Sequence, residues 1–249
     1  MALRPLLTGA GLLLAWDLLV RLTAVPPFIL PPPLAVGSAL VARADLILPH
    51  AAVTLAEILL GMAIGSAGGV AMALLLGAFR GARPWVLPVL VVSQALPVFA
   101  LAPLLVLWLG YGMASKVAMA VLIIFFPVTA AFYDGLRRTE AGWIELARTM
   151  GAGGHAILWQ IRMPAALPAL ASGLRVAAAV APIGAVVGEW VGSSRGLGYL
   201  MLQANARMQV DLMFAALLVL AAMALALWFS LDRLLKHLVR WQPETLSHS

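Results

Sequence analysis

The chain has 249 residues, of which 63% are hydrophobic and only 10% carry a charge. A soluble domain averages roughly 45–50% apolar and about 25% charged residues, so this composition excludes an ordinary soluble protein and indicates an integral membrane protein. The sequence contains no cysteine, which excludes disulfides and cysteine-ligated metal sites. Its net charge of +6 is scattered along the chain and not clustered, which favours basic loops beside a membrane over nucleic-acid binding.

Six segments are long and apolar enough to predict membrane-spanning helices in one all-α domain covering residues 1–249. The first contains Asp17 and Arg21, which can pair on one helix face, and it lacks the cleavage site of a signal peptide. Residues 31–50 follow it and are too short and too charged to cross, so they predict an interfacial helix after a proline-stiffened turn. The predicted spans are 6–25, 52–79, 85–110, 114–134, 166–191 and 212–235.

Basic residues predict the orientation of these spans. Ten of the 16 lysines and arginines fall on one side of the predicted membrane and five on the other, with Arg175 unassigned. The basic-rich side faces the cytoplasm in most membrane proteins. We therefore expect both termini, and the loop 137–164 between the fourth and fifth spans, to be cytoplasmic.

The second span carries a ridge of small residues every four positions: Gly61, Gly65, Gly69, Ala73 and Gly77. Helix backbones in lipid approach closely along such ridges and gain dispersion contacts. The ridge predicts helix packing, either within one chain or between two copies of it.

The third and fourth spans contain Pro88, Pro97, Pro103 and Pro127. Each proline removes a backbone hydrogen bond, and protein or water must satisfy the group that is left without a partner. The prolines therefore predict either kinked helices around a pathway or kinks within a rigid bundle.

Three residues are candidates for lining a pathway. Gln94 and Phe99 flank Pro97, and a buried amide such as that of Gln94 must find partners. Glu189 lies late in the fifth span, where a carboxylate is costly and is by default a functional candidate. Pairing with Arg195 is the structural alternative for Glu189.

The sequence predicts neither an active site nor a metal site. The four histidines have no metal-ligand spacing, and no Ser/His/Asp set or paired carboxylates are apparent. We therefore expect a protein that is not an enzyme.

A charged, glycine-interrupted stretch, residues 145–164, separates the fourth and fifth spans. Apolar residues at helical spacing (Trp143, Ile144, Ala147 and Met150) precede Gly151, which is well placed to end a helix. A second short helix, His155 to Met163, then precedes Pro164, which can open the next span. The pattern predicts a cytoplasmic helix–turn–helix whose apolar stripe is a partner surface.

This stretch resembles the E-A-A-x3-G-x9-I-x-L-P signature of permease subunits of ATP-binding-cassette (ABC) importers. Matching positions are Glu145, Ala147, Gly151, Ile161 and Pro164, while Leu146 and Met163 depart from the signature but remain apolar. The wider chain resembles the nitrate, sulfonate and taurine branch in "FILPPPLAVGSAL", "SQALPVFALAPLLVLWLGYG" and "VGEWVGSSRGLGYLM".

The resemblance implies a six-helix type I importer permease in a bacterial inner membrane, with residues 137–164 as the coupling element and Glu145, Leu146, Ala147, Gly151, Ile161 and Pro164 at its core. It implies cytoplasmic ATPase subunits, an extracytoplasmic binding protein and a second copy of the permease as partners. ATP and Mg²⁺ would belong to the ATPase, since this chain has no phosphate-binding loop of its own.

The alternative function is an ion-coupled carrier that works without an ATPase, but the sequence shows no convincing inverted repeat. The resemblance implies a small polar solute. The stretch "GEWVGSSRGLGYLMLQANARMQVDLM" looks most like members associated with pyrimidine precursors of thiamine, while nitrate, sulfonates, taurine and other small heterocycles remain open.

Overall fold

A computed structural model of the chain describes residues 3–241, and for residues 3–6 and Arg80 it describes the backbone alone. This part of the chain is all-helical. The helices are α1 (Leu3–Thr23), α2 (Pro33–Ala42), α3 (Ala44–Ala78), α4 (Arg83–Ala95), α5 (Val98–Leu109), α6 (Met113–Arg137), α7 (Ala141–Thr149), α8 (Gly154–Ile157), α9 (Met163–Gly192), α10 (Leu197–Ala206) and α11 (Val210–Leu238).

Four helices in the described residues are long and apolar enough to cross a membrane: α3, α6, α11 and the continuous helix Gly154–Gly192 that includes α9. The pair α4 and α5 passes the same test but is bent by 98°. The predicted span over 85–110 is therefore divided into two helices, and its largest bend lies at one of the prolines that predicted kinks there. Pro97 explains the break, because it has no N–H to donate and it disfavours helical geometry at Leu96. The predicted count of six spans is not confirmed, since four or five helices meet the criterion and α1 is not among them.

The predicted interfacial helix over 31–50 divides between two helices. Helix α2 ends at Ala42, and the remaining residues form the first turns of α3, which tolerates Pro49 in its interior. Helix α3 has 35 residues and is about 52 Å long at 1.5 Å per residue. Since the hydrocarbon core is about 30 Å thick, one end of α3 extends beyond it.

Helix α6 lies at the centre of the bundle, between α3 and α9. The small-residue ridge of α3 packs against it: a β-carbon at Gly61 would overlap the side chain of Ala120, and one at Gly65 would lie 2.9 Å from Ile124. From the other side, a β-carbon at Gly184 would lie 2.7 Å from the Ala120 backbone. The ridge therefore packs within the chain, a choice that the sequence left open.

Candidate functional site

Helix α7 ends in a glycine-dependent turn. Gly151 has a φ of +81°, in the left-handed region that glycine adopts readily. Its N–H donates to the Arg148 carbonyl over 2.9 Å, and the N–H of Ala152 donates to the Ala147 carbonyl over 2.9 Å. These two bonds make a Schellman motif, which satisfies the last carbonyls of the helix and reverses the chain.

The apolar residues of α7 lie on two faces. Ile144 and Ala147 are buried against Ile157, so this half of the predicted stripe packs inside the loop itself. The other face is exposed and carries Trp143 (53% exposed), Leu146 (62%) and Met150 (79%). The prediction that all four stripe residues form a partner surface was thus wrong for Ile144 and Ala147, because the helix after the turn folds back onto them.

The segment after the turn is one helix and not a separate short one. Residues Gly154–Gly192 form a continuous helix that contains a π-helical turn, Leu158–Arg162. The N–H of Met163 bonds to the Leu158 carbonyl, five residues back, and Pro164 follows directly. The predicted break at Pro164 was therefore wrong. The π-helical turn shifts the backbone hydrogen-bond register by one residue just before Pro164. The helix can therefore continue through this proline, which has no N–H to donate.

A cavity of about 490 Å³ lies between α7 and the end of α3. Arg148, His155 and Arg162 line it together with Gly77 and Ala78 at the end of α3, and no acidic side chain is among its lining residues. Glu145 lies on the exposed surface of α7 and makes no ion pair or hydrogen bond within the described part of the chain. The charged side chains of Glu145 and Arg148 are both exposed at this end of the molecule.

The pathway candidates are not brought together. Gln94 and Phe99 are exposed and flank the break between α4 and α5. Glu189 lies on α9 and is 1% exposed, at the end of the bundle opposite α7.

Glu189 belongs to a buried polar cluster, which we define as His50, Thr54, Glu57, Lys116 and Glu189. Its carboxylate accepts a hydrogen bond from the Thr54 hydroxyl over 2.6 Å, one from the N–H of Gly198 and one from the N–H of Tyr199. Thr54, Glu57 and Lys116 are each no more than 3% exposed. The partners of Glu189 are thus these groups and not the Arg195 side chain of the sequence alternative.

Sequence reasoning missed four members of the polar cluster. Glu57 carried a usable signal, because an acidic residue inside an apolar span is a functional candidate by default. Thr54 precedes Glu57 by three residues and so shares its helix face. His50 and Lys116 gave no local signal, since each lies near a predicted end of a span.

Over residues 65–242 the chain matches the family described as the binding-protein-dependent transport system inner membrane component. It is 57% identical over 237 residues to a probable ABC transporter permease protein of Haemophilus influenzae, covering 95% of this chain and 97% of the relative. The chain belongs to this family.

Two further permeases are similar over nearly the whole chain. The formylaminopyrimidine transport permease protein ThiX of Halalkalibacterium halodurans is 36% identical, covering 98% of this chain and 97% of the relative. The riboflavin transport system permease protein RibX of Chloroflexus aurantiacus is also 36% identical, covering 93% and 87%. The chain is thus an ABC importer permease subunit, and the reading as a carrier that works without an ATPase is not supported.

Solved importer structures share the permease fold. An inward-facing structure of the MetNI methionine ABC transporter superposes with a TM-score of 0.68 at 20% identity, covering 79% of this chain and 97% of that chain. An amino acid ABC transporter superposes with a TM-score of 0.61 at 18% identity, covering 81% and 96%.

Proposed function

We propose that α7 and its glycine turn are the coupling element of the permease, seated in a groove of a separate ATP-binding subunit. The observation that carries this proposal is the exposed apolar face of α7, formed by Trp143, Leu146 and Met150. An exposed apolar patch rimmed by charge is typical of a partner surface. The exposed Glu145 and Arg148 supply charges of both signs for the same partner.

The attachment of this element suits a mechanical role. Ile144 and Ala147 pack against Ile157, which lies in the continuous helix Gly154–Gly192. A displacement of α7 would therefore move that helix as a rigid body and alter the packing of the bundle. ATP and Mg²⁺ would be bound by the ATPase, and this chain would convert its closure into movement of the pathway.

Substitution of Leu146 tests the docking surface. Leu146→Asp places a charge in the centre of the exposed face, and we expect co-purification of the ATPase subunit and solute uptake both to fall. The matched control is Leu238→Asp, a leucine that is 57% exposed at the same end of the bundle and outside α7. Equal ATPase recovery from the two variants would contradict the assignment of α7.

We infer that two copies of the permease pack together around one pathway. The break between α4 and α5 is exposed in the single chain, with Leu96 at 50% and Phe99 at 56%. Non-helical backbone at membrane depth is tolerated only where protein covers it or where it lines a water-filled cavity. A second copy placed against this break would cover the exposed backbone on one side and enclose a water-filled pathway on the other. Gln94 and Phe99 would then line that pathway.

Cysteine cross-linking tests this arrangement, since the chain has no native cysteine. A two-fold interface brings each residue near the axis close to its own copy, so Gln94→Cys should form a covalent dimer on oxidation. Leu14→Cys, on the exposed surface of α1, is the control and should remain monomeric. Cross-linking at Leu14 and none at Gln94 would place the interface elsewhere.

We infer that the solute is a small nitrogen heterocycle of the pyrimidine type, delivered by an extracytoplasmic binding protein. The support is that two relatives of 36% identity are named for formylaminopyrimidine and riboflavin, whereas the taurine permease TauC of Escherichia coli is 29% identical. Calorimetric titration of the binding protein that serves this permease with formylaminopyrimidine, riboflavin and taurine tests the inference. Binding of taurine alone would overturn it.

A further inference from the structure

We propose that the buried polar cluster positions the two turns that precede α6 and α10, so that they form a docking surface for the binding protein. Glu189, Thr54 and His50 hold the start of α10, and Lys116 holds the turn before α6. The proposal rests on the proposed function, in which the end of the bundle opposite α7 faces outward.

The start of α10 is held entirely by side chains of other helices. The N–H of Gly196 donates to Nδ1 of His50 over 2.9 Å, and the N–H of Leu197 donates to the Thr54 hydroxyl over 2.8 Å. The N–H groups of Gly198 and Tyr199 both donate to Oε2 of Glu189. Four consecutive backbone donors are thus satisfied by α3 and α9.

The Glu189 carboxylate lies at the N-terminus of α10 and accepts hydrogen bonds from its first N–H groups. The first N–H groups of a helix have no partner within the helix, and its N-terminus attracts an anion. Glu189 supplies that anion while it lies in the last turn of α9, so it links the end of one helix to the start of the next. Gly196 has a φ of +111°, and a β-carbon there would overlap the Glu189 carboxyl group, so no other residue fits this approach.

Lys116 holds the second turn in the same way. Its ammonium group donates to the carbonyl of Tyr111 over 2.6 Å and to that of Gly112 over 2.9 Å, between α5 and α6. Glu57 lies between the two halves of the cluster, and its carboxyl group neighbours both Lys116 and Glu189. Five side chains from α3, α6 and α9 therefore fix two separate turns relative to each other.

Burial of ionisable groups costs solvation free energy, so this cluster is a poor source of stability for the bundle. Replacing buried ionisable groups by well-packed apolar residues is often neutral or stabilising, so burial of Glu57, Lys116 and Glu189 here calls for a role besides stability. The two turns it holds present exposed side chains, Tyr111 at 76% and Arg195 beside Gly196. A surface made of two turns binds a partner well only when their relative position is fixed beforehand, because ordering them on binding would cost affinity.

The experiment uses the permease with its ATPase subunits in lipid nanodiscs, titrated with the binding protein while ATP hydrolysis is measured. Thr54→Val removes the hydroxyl at nearly constant volume, and Thr54→Ser keeps it. We expect Thr54→Val and Glu189→Gln to raise the binding-protein concentration for half-maximal stimulation by about tenfold, a usual size for coupling between sites. Thr54→Ser and the exposed control Asp45→Asn should match the parent, and basal hydrolysis and ATPase recovery should stay unchanged in all variants.

A purely structural cluster gives a different pattern. Lower melting temperatures for Thr54→Val and Glu189→Gln, with an unchanged half-maximal concentration for the folded complex, would overturn the proposal while leaving the proposed function standing. A parent complex that recovers no ATPase or shows no stimulation by the binding protein would overturn both. If Glu189→Gln fails to insert, Thr54→Val against Thr54→Ser decides the outcome alone.

Discussion

Gly151 is required in the loop after α7 for its backbone conformation and not for its small size. Nothing lies within 4 Å of the position that its β-carbon would occupy, so space is not what requires glycine there. The requirement is the φ of +81°, which aligns two Schellman hydrogen bonds and turns the chain so that Ile157 reaches Ile144. The local backbone conformation of one residue therefore decides which face of α7 is left exposed.

Two glycines in this loop form a matched pair for mutation. Gly151→Val places a β-branched residue in the left-handed region at a cost of roughly 1–2 kcal/mol, so we expect it to misorient α7. Gly153 has a φ of −73° and open space around it, so Gly153→Val should behave as the parent. The measurements are ATPase co-purification and solute uptake. If Gly151→Val shows parental ATPase co-purification and parental solute uptake, α7 is not the coupling element.

Helices α3 and α9 each pack with their backbones in close contact with α6. The α3 ridge and the Gly184 position of α9 meet α6 at Ala120, where β-carbons on both neighbours would collide with it. Without a hydrophobic drive between helices in lipid, such contacts are a main source of bundle stability. The same three helices carry the buried polar cluster, so their packing also sets its geometry.

Alanine substitutions within α3 test this packing. Gly61→Ala puts its β-carbon into the side chain of Ala120, and overpacking of this kind typically costs about 1–3 kcal/mol. Gly68→Ala, seven residues further on, would make an ordinary contact of 3.5 Å with Phe125. We expect a lower melting temperature in detergent for Gly61→Ala and little change for Gly68→Ala. Equal melting temperatures would show that α3 and α6 do not pack along this ridge.

For the whole molecule, orientation in the membrane decides which end can meet which partner. The α7 loop and the polar cluster lie at opposite ends of the bundle, because Gly77 of α3 approaches Leu158 while Thr54 of the same helix contacts Glu189. A coupling loop requires the first end to be cytoplasmic, and a binding-protein surface requires the second to be outside. The excess of basic residues on the α7 side favours this orientation.

Single-cysteine labelling measures the orientation directly. In intact cells an impermeant thiol reagent should label Ser194→Cys, in the exposed turn before α10, and should leave Gly153→Cys unlabelled. Permeabilised cells serve as the positive control, where both positions should react. Labelling of Gly153→Cys from outside intact cells would reverse the topology and contradict both partner assignments.

The sequence by itself determined the features that depend on local pattern. Composition identified a membrane protein, the four-residue spacing of glycines identified a packing face, and the spacing from Glu145 to Pro164 identified the family that the matches to known proteins then confirmed. The helical signals can be read from the sequence because a helix places residues three and four positions apart on one face, whatever surrounds it.

Only the tertiary structure decided which faces meet. It turned Ile144 and Ala147 inward, carried the helix through Pro164, bent α4 against α5 by 98°, and set the glycine ridge against α6. It also joined Thr54 to Glu189, which are 135 positions apart in the chain. Local periodicity defines a helix and its faces, but the burial of a face and the partner of a buried charge depend on neighbours brought close by the fold, and no spacing along the chain records them.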